Sequence, residues 1–263
     1  MAIIGLFDSG FGGLTVARQI RKQIPKISIE YYGDNGRNPY GPLSQKTIIK
    51  YSRQILDFLA KKGPDIVIIA CNTATAAALN TIKNEYNFPV LGIIEPGSRA
   101  ALRESKNKRI GVLGTKFTID SGAYNKIIKG FNEEVEVFGQ ACPEFTLLVE
   151  QGNIEGKEVE KAASKYLSNL KDTGIDTLIL GCTHYPVLIG IIKKYIDKDV
   201  KVIDPSIEVV LDAKAKLSEI SADINGKTNL NFYTSGYLTG FKEIGAKILG
   251  EPINKIEKIL LGQ

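Results

Sequence analysis

The chain has 263 residues, 43% of them hydrophobic, enough to fill one large domain or two of ordinary size, and this excludes a disordered protein. Its 34 basic and 29 acidic residues leave a net charge of +5. The lysines are scattered rather than gathered into an arm or stripe, which argues against a nucleic-acid partner.

Strand-like and helix-like segments alternate from the start, the signature of α/β units with a parallel sheet. "AIIGLF" reads as a buried strand and "DSGFGG" as a glycine turn, after which Leu14, Ala17, Ile20 and Ile24 fall at helical spacing up to Pro25. "ISIEYYGD" is a second strand and "NGRNPYGPLS" a long turn. Ile48, Tyr51, Ile55 and Leu59 mark the next helix, which Gly63 and Pro64 stop. "DIVIIA" is a third strand, and "TATAAALNTIKN" a helix of good formers. Near "IIEPGSRAA" the pattern restarts with "RIGVLG" as a new first strand, placing a crossing close to Pro96. A second crossing is expected at "VIDPS", followed by a strand in "TNLNFYTSG" and a last helix in "KEIGAKIL".

An internal repeat supports this division. "LDFLAKKGPDIVIIACNT" and "LSNLKDTGIDTLILGCTH" align without gaps at an offset of 111 residues, and "IGLFDSG" resembles "IGVLGTK" at an offset of 106. Paired apolar residues alone would carry little weight, but Gly63/Gly174, Asp65/Asp176 and Cys71/Cys182 are identical too. The expected fold is therefore α/β, with two similar domains whose mainly parallel sheets are flanked by helices. Residues 1–96 plus 208–263 form one domain, 97–207 the other, and the site lies in the cleft between them. Apolar runs such as Ile66 to Ala70 are too short to cross a bilayer and "MAIIGLF" has no leader pattern, so a cytoplasmic protein without membrane contact is expected.

In open parallel sheets ligands bind beyond the carboxyl ends of the strands, where Asp8, Cys71, Gly114 and Cys182 all fall. The three cysteines are odd in number and widely spaced, hence free thiols. Cys71 and Cys182 each precede a presumed helix start, whose N–H groups favour an anion. Two thiols meeting in one cleft suit removal of a proton from one face of a carbon and its return to the other, which is racemisation. His184, the only histidine, sits two residues beyond Cys182 in a polar turn. Asp8 either caps the following helix or holds the proton of Cys71, and Cys142, without a duplicate partner, reads as buried. Rival readings are weaker. No C-x-x-C or H-x-x-x-H spacing supports zinc. "GFGG" followed by Asp34 invites a dinucleotide reading, but Thr15 stands where the third glycine is required. No lysine stands out as a pyridoxal anchor.

Together "FDSGFGGLTV", "YYGDNGRNPYG", "ACNTATA" and "LGCTHYP", joined by "IEPG" and "ACPEFTLLVEQG", resemble the cofactor-independent aspartate/glutamate racemase superfamily, its glutamate racemases in particular. The resemblance implies interconversion of L- and D-glutamate with no cofactor and no metal, supplying D-glutamate for peptidoglycan and so for cell-wall biogenesis and cell shape. It makes Cys71 and Cys182 the acid/base thiols, with Asp8, His184 and Glu150 assisting. Asp8, Ser9, Tyr40, Gly41, Asn72, Thr73, Thr183 and His184 match its substrate-binding positions, and a homodimer is the expected assembly. The alternatives are a racemase of aspartate or another acidic amino acid, and a module that binds an amino acid without changing it.

Overall fold

The computed structural model describes residues 2–224 and 228–262. The first half opens with β1 (Ile3–Asp8), α1 (Leu14–Gln23), β2 (Ser28–Gly33), α2 (Gln45–Ala60), β3 (Ile66–Ile69), α3 (Asn72–Ile82), β4 (Val90–Gly92) and α4 (Ile94–Glu104). The chain then forms β5 (Arg109–Gly114), α5 (Lys116–Asp120), α6 (Ala123–Phe131), β6 (Glu136–Ala141), α7 (Pro143–Glu150), α8 (Lys157–Leu167), β7 (Thr177–Gly181), α9 (Ile189–Ile192) and β8 (Lys201–Ile203). It ends with α10 (Pro205–Glu219), β9 (Leu230–Thr234), α11 (Leu238–Leu249) and β10 (Ile256–Lys258).

Among the described residues these strands make two sheets, six strands in the order β10-β9-β2-β1-β3-β4 and four in the order β6-β5-β7-β8, with every pairing parallel. The repeat seen in the sequence survives in the register. Ile4 pairs with Ile66 and Gly5 with Val67 in the first sheet, while their counterparts Ile110 with Thr177 and Gly111 with Leu178 pair in the second. The order β2-β1-β3-β4 thus recurs as β6-β5-β7-β8, and β9 and β10 extend the first sheet beyond β2.

Strands of a parallel sheet are covered on both faces, which accounts for their unbroken apolar runs. Side-chain alternation divides β1 and β3 between two cores: Phe7, Val67 and Ile69 join Ile48, Ile55 and Leu59 of α2, whereas Ile4, Leu6, Ile66 and Ile68 face Leu14, Ala17 and Ile20 of α1. This second core continues through Ala100 and Ala101 of α4 and Val209, Val210 and Ala213 of α10 to Ile110 and Ile179 of the second sheet. Helices therefore stand at both expected crossings. Pro96 lies in the first turn of α4, where a missing N–H breaks no hydrogen bond, and Pro205 opens α10 behind an Asp204 cap.

The last residue of β7 sets the position of the cysteine that follows it. A Cβ on Gly181 would lie 2.7 Å from the Leu113 carbonyl oxygen, a backbone atom that cannot yield without parting β5 from β7. Gly181→Ala is expected to destabilise the fold by about 1–3 kcal/mol, read from the denaturant midpoint. An unchanged midpoint would show that the strands are not held this closely.

Candidate active site

The carboxyl ends of β1, β3, β5 and β7 converge on a cavity of about 210 Å³. Both Cys71 and Cys182 line it, one from each sheet, together with Ser9, Tyr40, Gly41, Asn72, Thr73, Thr183 and His184. Asp8 and Glu150 are absent from its lining. They stand behind it and act on the residues in front.

Cys71 caps α3, its sulfur accepting from the Ala74 N–H at 3.4 Å and its thiol donating to Ser9 Oγ at 3.5 Å. The Ala74 N–H at the helix start favours the thiolate, but it is outweighed. Burial, reinforced by the negative charge of Asp8, pushes the Cys71 thiol up to about 12, because the cap supplies one long N–H contact against complete loss of water. Cys182 differs in its surroundings. The chain after it enters a 3-10 turn, Tyr185–Leu188, rather than a regular helix, since Pro186 has no N–H to donate. Its sulfur lies 3.5 Å from His184 Nδ1 and 3.7 Å from Thr146 Oγ1.

His184 Nε2 meets Glu150 Oε1 at 2.5 Å, completing a line from sulfur through imidazole to carboxylate. Burial opposes charge on the ring, but hydrogen bonding and attraction to Cys182 and Glu150 outweigh it and hold His184 well above its usual value. Glu150 in turn accepts from the Phe11 N–H at 2.8 Å and from Asn35 Nδ2 at 3.2 Å, both in the first half of the molecule. The "GFGG" turn makes this approach possible. A Cβ on Gly12 would lie 2.7 Å from His184 Nδ1, and one on Gly10 would collide with Glu150 Oε1, so the glycines serve side chains of the second half rather than a dinucleotide.

Asp8 is fully buried, accepting from the Gly10 N–H and the Thr183 hydroxyl, each at 3.0 Å. Its bonds run to the turn and to the second half rather than to Cys71, which it influences through its charge. Burial raises Asp8 from 3.8 to about 6, more than the nearby His184 and the two hydrogen bonds lower it. Tyr40 lines the cavity, but its hydroxyl is committed to Asp34. Asp34 also receives Arg37 and Ser235, so it is structural. Cys142 is buried, as its lack of a duplicate partner suggested.

Four further polar lining residues were not singled out from the sequence: Asn38, Thr115, Lys116 and Thr146. The repeat contained a signal for one of them, because Thr115 is the counterpart of Ser9 at the offset of 106. Its hydroxyl meets that of Thr73 at 2.8 Å, joining the two halves across the cavity. Among the described residues, the buried polar atoms of the lining left without a partner are the donor Asn72 Nδ2 and the acceptor Asn38 Oδ1. Asn72 Oδ1 accepts from Tyr124 at 2.7 Å, which fixes the amide with its donor free. No group of three or more His, Cys, Asp and Glu side chains among the described residues is placed to hold a metal.

Paired sheets with a thiol at the carboxyl end of each define a class, and comparison with known proteins agrees with it. The chain belongs to the Asp/Glu/Hydantoin racemase family, whose model matches residues 13–212. It is 42% identical over 262 residues to the glutamate racemase of Listeria monocytogenes, covering 99% of this chain and 98% of that one. With the glutamate racemase of Aquifex aeolicus it shares 45% identity over 250 residues, 95% of each chain. A solved glutamate racemase of Francisella tularensis in complex with D-glutamate superposes with a TM-score of 0.92 at 34% identity, covering 98% of this chain and 97% of that one.

The buried Asp8 makes a testable demand on stability. Its folded value lies above the unfolded one, so its contribution is present below about pH 4 and is lost as pH rises through about 6, a swing of about 3 kcal/mol. Asp8→Asn, which keeps the acceptor for the Gly10 N–H and offers an N–H that the Thr183 hydroxyl can turn to accept, should stabilise the fold at pH 7.5, with the gain shrinking toward zero at pH 4 in urea titrations. A gain that is larger at pH 4 than at pH 7.5 would contradict this origin.

Proposed function

We propose that the chain interconverts L- and D-glutamate by a cofactor-independent proton transfer in which Cys71 and Cys182 are the two acid/base groups. The observation that carries this reading is the meeting of one thiol from each of two duplicated sheets in a single buried cavity. A module that only binds has no need of a matched pair of proton carriers. In racemisation one sulfur, as thiolate, takes the α-proton from one face, while the other, as thiol, gives its proton to the opposite face. The opposite enantiomer reverses the roles.

The surroundings suit a dicarboxylate with an ammonium group. Hydroxyls of Ser9, Thr73 and Thr115 and the free amide donor of Asn72 can hold carboxylates, and the free acceptor of Asn38 and the oxygen of Thr183, whose own proton goes to Asp8, can receive ammonium protons. An ammonium brought beside Cys71 would counter the field of Asp8 and ease loss of the thiol proton. His184, backed by Glu150, does the corresponding work at Cys182. We assign the units 1–96 plus 208–263 and 97–207 as the two domains that enclose the substrate. A cytoplasmic homodimer that supplies D-glutamate to peptidoglycan completes the reading; among the described residues no helix is long and apolar enough to cross a membrane.

Each cysteine is tested by its own variant. Cys71→Ser and Cys182→Ser should each lower kcat/KM for glutamate by at least about 100-fold in both directions, followed by chiral chromatography with a metal chelator present. Turnover at the parent rate in either variant would sink the two-thiol mechanism.

A further inference from the structure

A second cavity, of about 500 Å³, lies behind the site, with Phe11, Asn35, Glu150, Tyr237, Gly240 and Lys258 in its lining. It opens to solvent at Tyr237, which is 84% exposed. The lining of the two cavities divides one pair of residues. His184 lines the front cavity and not the rear one, whereas Glu150 lines the rear cavity and not the front one. Their 2.5 Å hydrogen bond is therefore the wall between the two. The side chain of Glu150 keeps 15% of its surface exposed and that of His184 only 2%, so water reaches the pair from the carboxylate side.

We infer that the rear cavity is a proton port, through which the His184–Glu150 pair exchanges its proton with solvent while the front cavity is occupied. The inference rests on the racemase reading and gives it a missing part. When Cys182 as thiolate takes the substrate proton, the His184 imidazolium loses one of the two anions that held its charge and keeps only the Glu150 carboxylate, to which its Nε2 proton is already hydrogen-bonded. The imidazolium passes its Nε2 proton to Glu150 Oε1, and the resulting carboxylic acid releases it to water in the rear cavity. His184 is left neutral with its Nδ1 proton toward the sulfur, and Glu150 is again a carboxylate. When the Cys182 thiol gives its proton to substrate, the steps run backward. Water protonates Glu150, Glu150 protonates Nε2, and the thiolate regains its imidazolium.

Asn35 is a positioning residue in this device. Its amide donates to Glu150 Oε2 and its oxygen accepts from Thr234, which leaves Oε1 aimed at the ring. Gly240 marks where the port can be closed. A Cβ there would meet Phe11 at 3.8 Å, ordinary contact distance, so α11 accepts a larger side chain that narrows the rear cavity.

His184 is the only histidine, so its ring nitrogens give single, unambiguous signals in ¹⁵N NMR. Hydrogen exchange of Nε2 with water is measured in the parent and in Gly240→Leu, each free and saturated with α-methylglutamate, which has no α-proton to lose. The port requires exchange in the parent to change by less than about twofold when the ligand fills the front cavity, and to slow at least tenfold in Gly240→Leu. Asn35→Leu, which removes the amide that aims Glu150 at the ring, should slow it in the same sense. Exchange that slows with ligand and is unaffected by either substitution would overturn the inference, because the proton would then leave through the front cavity. Failure of the racemase reading looks different: α-methylglutamate would leave the His184 signals unmoved and the parent would not racemise glutamate.

Discussion

One partly buried carboxylate fixes how the two halves of this molecule face each other. Glu150 sits at the end of a helix in the second half, accepts an N–H and an amide from the first, and grips the imidazole beside Cys182. Glycine at positions 10 and 12 is the condition for that grip, since a side chain at either would occupy the space of Glu150 or His184. The bond from Thr183 to Asp8 and the contact of Thr73 with Thr115 complete the set of cross-connections around the cavity. Orientation of the thiols thus depends on polar contacts between the halves, while the apolar core running through α4 and α10 holds the frame.

Burial explains both the reactivity such a site can reach and its cost to stability. A thiol deprived of water resists ionisation, and so does a carboxyl, which is why Cys71 and Asp8 are both raised. In the same low dielectric a single ammonium or imidazolium acts more strongly than it would in water. The two thiols are unequal by construction: Cys71 has a buried carboxylate and a serine nearby, Cys182 an imidazole backed by a carboxylate. Equivalent positions in a duplicated fold have acquired different electrostatic partners.

Much of this was legible in the sequence. Alternating strand and helix signals give the α/β class, and the paired Gly, Asp and Cys of the repeat anticipate two sheets with matching register. Cys71 and Cys182 follow from their place at strand ends, whereas Glu150 stands on no strand end and has no duplicate, so only family resemblance marked it. Asn38 and Thr146 enter the cavity through the packing of a turn and a helix against the other half, which no local periodicity encodes. The dinucleotide-like glycines illustrate the same limit. Their spacing indicates close approach, but what approaches them lies about 140 and 170 residues further along the chain.

The central claim is that two different groups handle the α-proton, and the isotope content of the product at low conversion tests it most directly. L-glutamate is incubated in D₂O and both enantiomers are separated and analysed by mass and proton NMR before a tenth of the substrate has reacted. Two thiols require D-glutamate that carries solvent deuterium at the α-carbon, beside remaining L-glutamate that is still protonated. Substantial protium retained in the D-glutamate would mean that a single group carried the proton across, and would contradict the account.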